Sequence, residues 1–279
     1  MRVAIFDSGV GGLTVLEDAI RRVPGADFLY FADTDNVPYG TKSKEEVRRL
    51  TVEAAKFIAD LGTDVLVIAC NTATSAAATE LRHRFSFPVV AMEPAIKPAV
   101  TRRISAEGRL SLNADKRVLV AATPLTLREE KFQRLVASLD TEGIVDPLPL
   151  PELVDFAERL EFSDSPVLSY LRKVTAGQDL GLYSTVVLGC THFLFFRPQF
   201  RSLFPPDTEI IDGNEGTVNQ LVRTMDGLKG VNRERDLSPF PGRVLYFESM
   251  RPVTDPPALE RFRRLRERYA LVREGSSLS

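Results

Sequence analysis

The chain holds few of the residues that most often carry chemistry: two cysteines and two histidines in 279 residues. Two cysteines 120 positions apart are too few for a disulfide framework. Without clustered histidines they make no zinc site either. Free thiols are the expected state. An excess of one charge is also missing, since 36 Lys plus Arg stand against 38 Asp plus Glu. No net field therefore draws nucleic acid or an acidic membrane. No apolar run approaches the ~18 residues of a spanning helix. Met1 leads straight into a strand-like run without a charged n-region or cleavage site, so a cytoplasmic location is expected.

What is present is a globular composition, 44% hydrophobic and 27% charged, which argues against disorder. The length is nearly twice the ~150-residue prior for one domain, so two are expected. "RVAIFDSG" (2–9) reads as a buried strand ending in polar residues and glycine. Thr14 and Glu17 form a capping-box pattern opening "LTVLEDAIRRV". "DFLYFAD" (27–33) is the next strand, and Ser43 with Glu46 caps a helix that keeps its apolar spacing to Leu61. A strand ending at Cys70, a small-residue helix over Ala76 to Arg84 and "PVVAMEP" (88–94) follow. Strand alternating with helix predicts a doubly wound α/β class with largely parallel sheets.

The second half repeats this programme. "RVLVAATPLT" (117–126) mirrors the first strand, with Thr126 and Glu129 as a capping pair. Arg2 to Cys70 spans 68 positions and Arg117 to Cys190 spans 73. Cys70 to Glu93 spans 23 and Cys190 to Asp212 spans 22. Two pseudosymmetric α/β units are implied, the first over 1–97 and completed by 207–279, the second over 98–206. "SAEGRLSLNADK" (105–116) reads as a surface loop, and the last four residues are expected to fray. "ALERFRRLRERYA" is an amphipathic helix whose stripe is Leu259, Phe262, Leu265 and Tyr269.

An unpaired cysteine is usually a small buried hydrophobe. Here Cys70 precedes Asn71 and Thr72, and Cys190 precedes Thr191 and His192. Both thiols thus fall at the carboxyl end of equivalent strands, where parallel α/β sheets place ligand sites. Packed about a pseudo-twofold axis, they would face each other across a cleft. That arrangement suits a reaction needing one acid–base group on each face of a small substrate, of which racemisation beside a carboxylate is the prime example. A thiol with an ordinary pKa near ~8.5 can serve, whereas a serine hydroxyl is too weak an acid.

"IFDSGVGGLTVL", "DTDNVPYG", "ACNTATSAA", "MEPAIKPA" and "GCTHF" occur in the order that resembles the glutamate racemases of the aspartate/glutamate racemase superfamily. The resemblance covers both repeats and fades over the last 60 or so residues. It implies that Cys70 takes the proton from the D-enantiomer and Cys190 from the L-enantiomer. Asp7 is similar to the carboxylate assisting the Cys70 side, and His192 to the imidazole assisting the other. The assisting glutamate on that side fits Glu158 best, with Glu152 as the fallback. Ser8, Pro38, Tyr39, Gly40, Asn71, Thr72, Thr123, Thr126 and Thr191 match positions that hold the substrate. No pyridoxal phosphate or metal is implied. The implied partner is glutamate, without nucleic acid or membrane; a homodimer is left open, and the implied context is peptidoglycan synthesis. After Cys-Thr-His the chain reads Phe193-Leu194-Phe195, a departure from the family's aromatic-proline-leucine.

Plainer readings stand beside these. Asp7-Ser8-Gly9 also reads as a polar strand end, Thr126 as a helix N-cap, and His83 as a surface residue. Asp33 and Asp35 read as caps of the loop presenting Tyr39. "GVGG" lacks the lysine and spacing of a phosphate loop. Alternative functions are a racemase of aspartate or another small amino acid, a two-lobed binding protein without turnover, and a thiol redox switch. Hinges are expected near Pro94 to Pro98 and near Pro205 to Thr208.

Overall fold

The computed structural model describes residues 1–101, 116–140, 143–228 and 244–275. The loop expected at 105–116, apart from Lys116, and the expected frayed end both lie outside the described residues. The first half runs β1 (Arg2–Asp7), α1 (Leu13–Arg22), β2 (Asp27–Ala32), α2 (Lys44–Asp60), β3 (Val65–Ile68), α3 (Asn71–Arg84), β4 (Val89–Ala91) and α4 (Ile96–Thr101). The pattern restarts with β5 (Arg117–Ala122), α5 (Pro124–Arg128), α6 (Glu130–Leu139), β6 (Val145–Pro149), α7 (Glu152–Glu158), α8 (Asp164–Val174) and β7 (Tyr183–Leu188). Then come α9 (Arg197–Leu203), β8 (Glu209–Asp212), α10 (Asn214–Leu228), β9 (Val244–Glu248), β10 (Arg251–Pro252) and α11 (Pro256–Arg273).

Among the described residues two sheets form, in the orders β10-β9-β2-β1-β3-β4 and β6-β5-β7-β8. All pairings are parallel except β9 with β10. The order β2-β1-β3-β4 recurs as β6-β5-β7-β8, so the sequence repeat is a repeat of topology. Every residue of β1, β3 and β7 is buried, as strands covered by helices on both faces must be. Among the described residues no helix is long and apolar enough to cross a membrane.

The strand at 209–212 sits elsewhere than expected. β8 pairs with β7, in register through Leu188 and Asp212, and so completes the second sheet and not the first. The repeat itself requires this, since β4 occupies the same place beside β3. The return to the first unit comes one element later, with α10 packed on α1, β3 and β4. In the other direction α4, which follows β4, packs on β5, β7 and α6. The two crossings touch: a Cβ added to Gly213 would lie 2.6 Å from the Glu93 carbonyl oxygen. The second crossing is therefore at Gly213, beyond the hinge expected at Pro205 to Thr208.

Helix starts follow local hydrogen bonding more than motif spelling. Ser43 caps α2 as expected, accepting from the Glu46 N–H at 3.2 Å. Thr14 is no cap; it lies inside α1 and its hydroxyl donates to the Gly11 carbonyl at 3.0 Å. Thr123, not Thr126, caps α5. On α11, Phe262, Leu265 and Tyr269 are buried, whereas Leu259, in the first turn, stays 37% exposed. His83 is exposed as expected.

Candidate active site

β3 ends at Ile68 and α3 begins at Asn71, so Cys70 falls at the joint between them. Its thiol caps the helix by accepting from the Ala73 N–H at 3.4 Å and donates to Ser8 Oγ at 3.5 Å. Ser8 and Asp7 come from the end of the neighbouring strand β1. Burial pushes the Cys70 thiol up to about 12, reinforced by the charge of Asp7. Burial likewise pushes Asp7 up to about 6, against the opposing charge of His192. Asp7 accepts from the Gly9 N–H and the Thr191 hydroxyl, each at 3.0 Å. Its influence on Cys70 is thus electrostatic, while one of its hydrogen bonds, from Thr191, comes from the residue after Cys190.

Cys190 holds the equivalent place after β7 and opens a 3-10 turn, Thr191–Phe196. Its sulfur lies 3.7 Å from His192 Nδ1. On the far side of the ring, His192 Nε2 lies 2.8 Å from Glu158 Oε1. Burial disfavours the imidazolium, yet the hydrogen bonds and charges of Cys190 and Glu158 outweigh it and raise His192 well above its ordinary value. Glu158, although buried, is held below the usual carboxylate range by His192, the Val10 N–H and Arg261. Glu158, at the end of α7, therefore meets the imidazole, and Glu152, at its start, is not the partner. Phe193, Leu194, Phe195 and Phe196 are all buried, so the departure after His192 is core packing.

The glycine run has a steric reason. A Cβ on Gly9 would lie 1.9 Å from Glu158 Oε1, and one on Gly11 would lie 2.4 Å from Thr191 Oγ1. Only a bare backbone lets the turn after β1 approach the Glu158–His192 pair so closely.

Across the site, Thr72, Thr123 and Thr126 form a triangle of hydroxyls 3.0, 3.1 and 2.9 Å apart. A Cβ on Gly40 would lie 2.5 Å from Thr123 Cβ, so the Pro38-Tyr39-Gly40 turn packs on this triangle. Tyr39 donates to Asp33 Oδ2 at 2.6 Å. Burial and that carboxylate push the phenol above its ordinary range. The Asn71 amide donates to the Met92 sulfur at 3.3 Å, and its side-chain oxygen has no hydrogen-bond partner among the described residues. Sequence reasoning missed Arg261, which bonds Glu158, and Ser249, which bonds Asp33. Neither had a local signal: Arg261 is one arginine among several in "RFRRLRER". Among the described residues no group of three or more His, Cys, Asp or Glu is placed to hold a metal.

Two sheets that share a matching run of four parallel strands, each closing the third strand of that run on a thiol beside an acid–base group, define a pseudosymmetric α/β isomerase. The Asp/Glu/hydantoin racemase family model matches residues 8–221, and the chain belongs to that family. It is 51% identical to a glutamate racemase of Halothermothrix orenii over 79% of this chain and 83% of that one. It is 43% identical to one of Lachnospira eligens over 98% of this chain and 100% of that one. The crystal structure of Escherichia coli glutamate racemase, in complex with L-glutamate and the activator UDP-MurNAc-Ala, superimposes with a TM-score of 0.76. It is 26% identical and covers 96% of this chain and 94% of that one.

Proposed function

We propose that the protein is a cofactor-independent glutamate racemase, interconverting L- and D-glutamate by two-base proton transfer at Cα. The observation that carries this reading is the pair of buried thiols, Cys70 and Cys190, at equivalent strand ends. The two relatives named above, both glutamate racemases, supply the substrate. In this reading Cys190 takes the α-proton of L-glutamate while Cys70 delivers a proton to the opposite face, and the reverse reaction exchanges the roles. A thiol pushed up to about 12 starts protonated, so Cys70 begins as the acid. Turnover of D-glutamate then needs that proton to pass to a base first, a role assigned to the carboxylate of Asp7, while the positive charge of the substrate's ammonium favours the thiolate left behind. Asp7 acts on Cys70 through its charge; Glu158 holds His192 to receive the proton of Cys190.

Every 1.36 kcal/mol of barrier is a factor of ten in rate, so the acidity of the α-proton must be raised by aimed donors in a dry site. The hydroxyls of Ser8, Thr72, Thr123, Thr126 and Thr191 and the turn at Pro38, Tyr39 and Gly40 serve the carboxylates. The free oxygen of Asn71 serves the ammonium. Opening and closing are assigned to the two crossings, at Pro94 to Pro98 and at Gly213. The product fits a cytoplasmic supply of D-glutamate for peptidoglycan.

The test is circular dichroism of L- and of D-glutamate, separately, in deuterated water without added cofactor, beside Cys70→Ser and Cys190→Ser variants. Decay from both sides, deuterium at Cα and loss of racemisation in each variant support the reading. A folded wild-type chain that neither racemises nor exchanges glutamate refutes it, and aspartate is then the next substrate.

A further inference from the structure

The family match ends at residue 221, yet two residues beyond it reach the site from opposite ends. Arg261, on α11, donates from Nη2 to the Glu158 carbonyl oxygen at 3.1 Å and to Oε2 at 3.3 Å. Its Nη1 donates to Glu248 Oε1 at 3.3 Å. One guanidinium thus holds the main chain and side chain of Glu158 together, while the other carboxylate oxygen holds His192 at 2.8 Å. A planar fork can make these bonds at once; an ammonium cannot match that geometry.

The residue after Glu248 serves the other end. Ser249 and Met250 form the two-residue turn between β9 and β10, at φ 44° and 69°. Glycine or asparagine is the relaxed choice for such a turn. Serine instead uses its hydroxyl, which donates to Asp33 Oδ1 at 2.9 Å and accepts from the Asp35 N–H at 2.9 Å. Asp33 in turn anchors the Tyr39 hydroxyl at 2.6 Å. Left-handed backbone at a non-glycine residue, held in place by such contacts beside a site, is where strain points to function.

We propose that the C-terminal hairpin and helix brace the active site at both ends, with Arg261 a positioning residue for the Glu158–His192 pair and Ser249 one for the Asp33–Tyr39 loop. This rests on the glutamate racemase reading and extends it to a part of the chain outside the family match. The two ends have different signatures. Arg261 acts on the Cys190 side alone, through the groups that handle its proton. Ser249 acts on the loop that receives substrate, without touching either thiol.

The experiment uses the full chain as wild type, R261Q, R261K and S249G, with initial rates from both enantiomers across pH and with α-deuterated substrates. R261Q is expected to lose roughly tenfold in kcat. Removing the cation makes the Glu158–His192 pair hold its proton more tightly, so the limb of the pH profile set by that pair moves to higher pH. The isotope effect rises from L-glutamate, where Cys190 abstracts the deuteron, and falls from D-glutamate. R261K restores the position of the limb but only part of kcat. S249G relieves the strained turn, so the unfolding midpoint holds or rises, while KM increases several-fold.

A loss in R261Q that is equal at every pH, with isotope effects unchanged in both directions, means a merely structural arginine and overturns that end. If R261Q does not fold, the isotope effects of R261K decide. An unchanged KM in S249G overturns the other end. A wild type that racemises normally beside variants that match it sinks the brace alone, whereas a wild type without turnover sinks the brace and the proposed function together.

Discussion

Replacing Asp7 by asparagine should make the protein more stable and less active, and the gain should depend on pH. Asp7 is fully buried, and its pKa is pushed up to about 6 from 3.8. The folded chain therefore binds this proton more tightly than the unfolded chain does. The stability involved is intact below about pH 4 and is lost as the pH rises to about 6. A gap of about two pH units corresponds to about 3 kcal/mol lost by pH 7, with roughly half already lost at pH 5. Asparagine keeps the shape: its oxygen accepts from the Gly9 N–H, and its amide donates to Thr191, whose hydroxyl turns from donor to acceptor. D7N should thus exceed the wild type by about 3 kcal/mol at pH 7, with about half that margin at pH 5. Its racemisation should fall by about 10²-fold or more, because the charge that acts on Cys70 is gone. Urea denaturation followed by far-ultraviolet circular dichroism at both pH values, with equal slopes, measures the margin. A margin that is the same at pH 5 and pH 7, or a D7N variant weaker than the wild type at pH 7, would refute the reasoning.

Other changes are expected to separate activity from stability. G9A drives a methyl group into Glu158 Oε1 at 1.9 Å and should cost about 10²-fold in rate by displacing His192, measured in the same racemisation assay. T123V breaks two sides of the hydroxyl triangle, leaves the Thr72–Thr126 bond of 3.1 Å and removes the cap of α5, so KM should rise about tenfold while the urea midpoint falls by the equivalent of about 1 kcal/mol. F262A removes a fully buried ring packed 5.9 Å from Tyr30 and 5.0 Å from Tyr246 and should cost about 3–5 kcal/mol. L259Q, at the exposed end of the same helix, should stay within about 0.5 kcal/mol, and comparing the two urea midpoints checks the stripe.

Much of the fold was legible because a buried parallel strand needs a continuous β-branched run, and such runs recur at matched spacing in both halves. The cysteines stood out because polar residues directly follow them at strand ends. The assignment of 209–212 to the first unit failed for a long-range reason. Nothing in "TEIID" records which edge it will pair with, although the repeat contains the answer through its match to β4. Thr14 and Glu17 spelled a capping box, but the glycine turn had already started α1 at Leu13. Glu158 could be chosen over Glu152 only by position, and the choice becomes physical once α7 places it 2.8 Å from His192. Arg261 and Ser249 were invisible because their partners are 103 and 216 residues away. Such contacts are set by how α11 and the β9–β10 turn dock, and no local pattern encodes that.

The two halves are alike in fold and unlike in chemistry, and this sets a strict kinetic expectation. Cys70 rests as a thiol among Ser8, the Ala73 N–H and the charge of Asp7. Cys190 rests beside an imidazole that Glu158 keeps prone to protonation. Unlike surroundings make the two proton-transfer steps unlike, so kcat and KM should differ between the two directions. Enantiomers nevertheless have the same free energy in water, so the equilibrium constant between them is one. The two values of kcat/KM must then be equal, whatever the residues do. Substitutions at Asp7 or Arg261 should therefore change kcat and KM in proportion between the directions, leaving the ratio of the two kcat/KM values at one. Initial rates from pure L- and pure D-glutamate over a range of concentrations measure that ratio. A value clearly away from one would mean that some other reaction consumes one enantiomer, and two-thiol racemisation would not be the whole chemistry of this site.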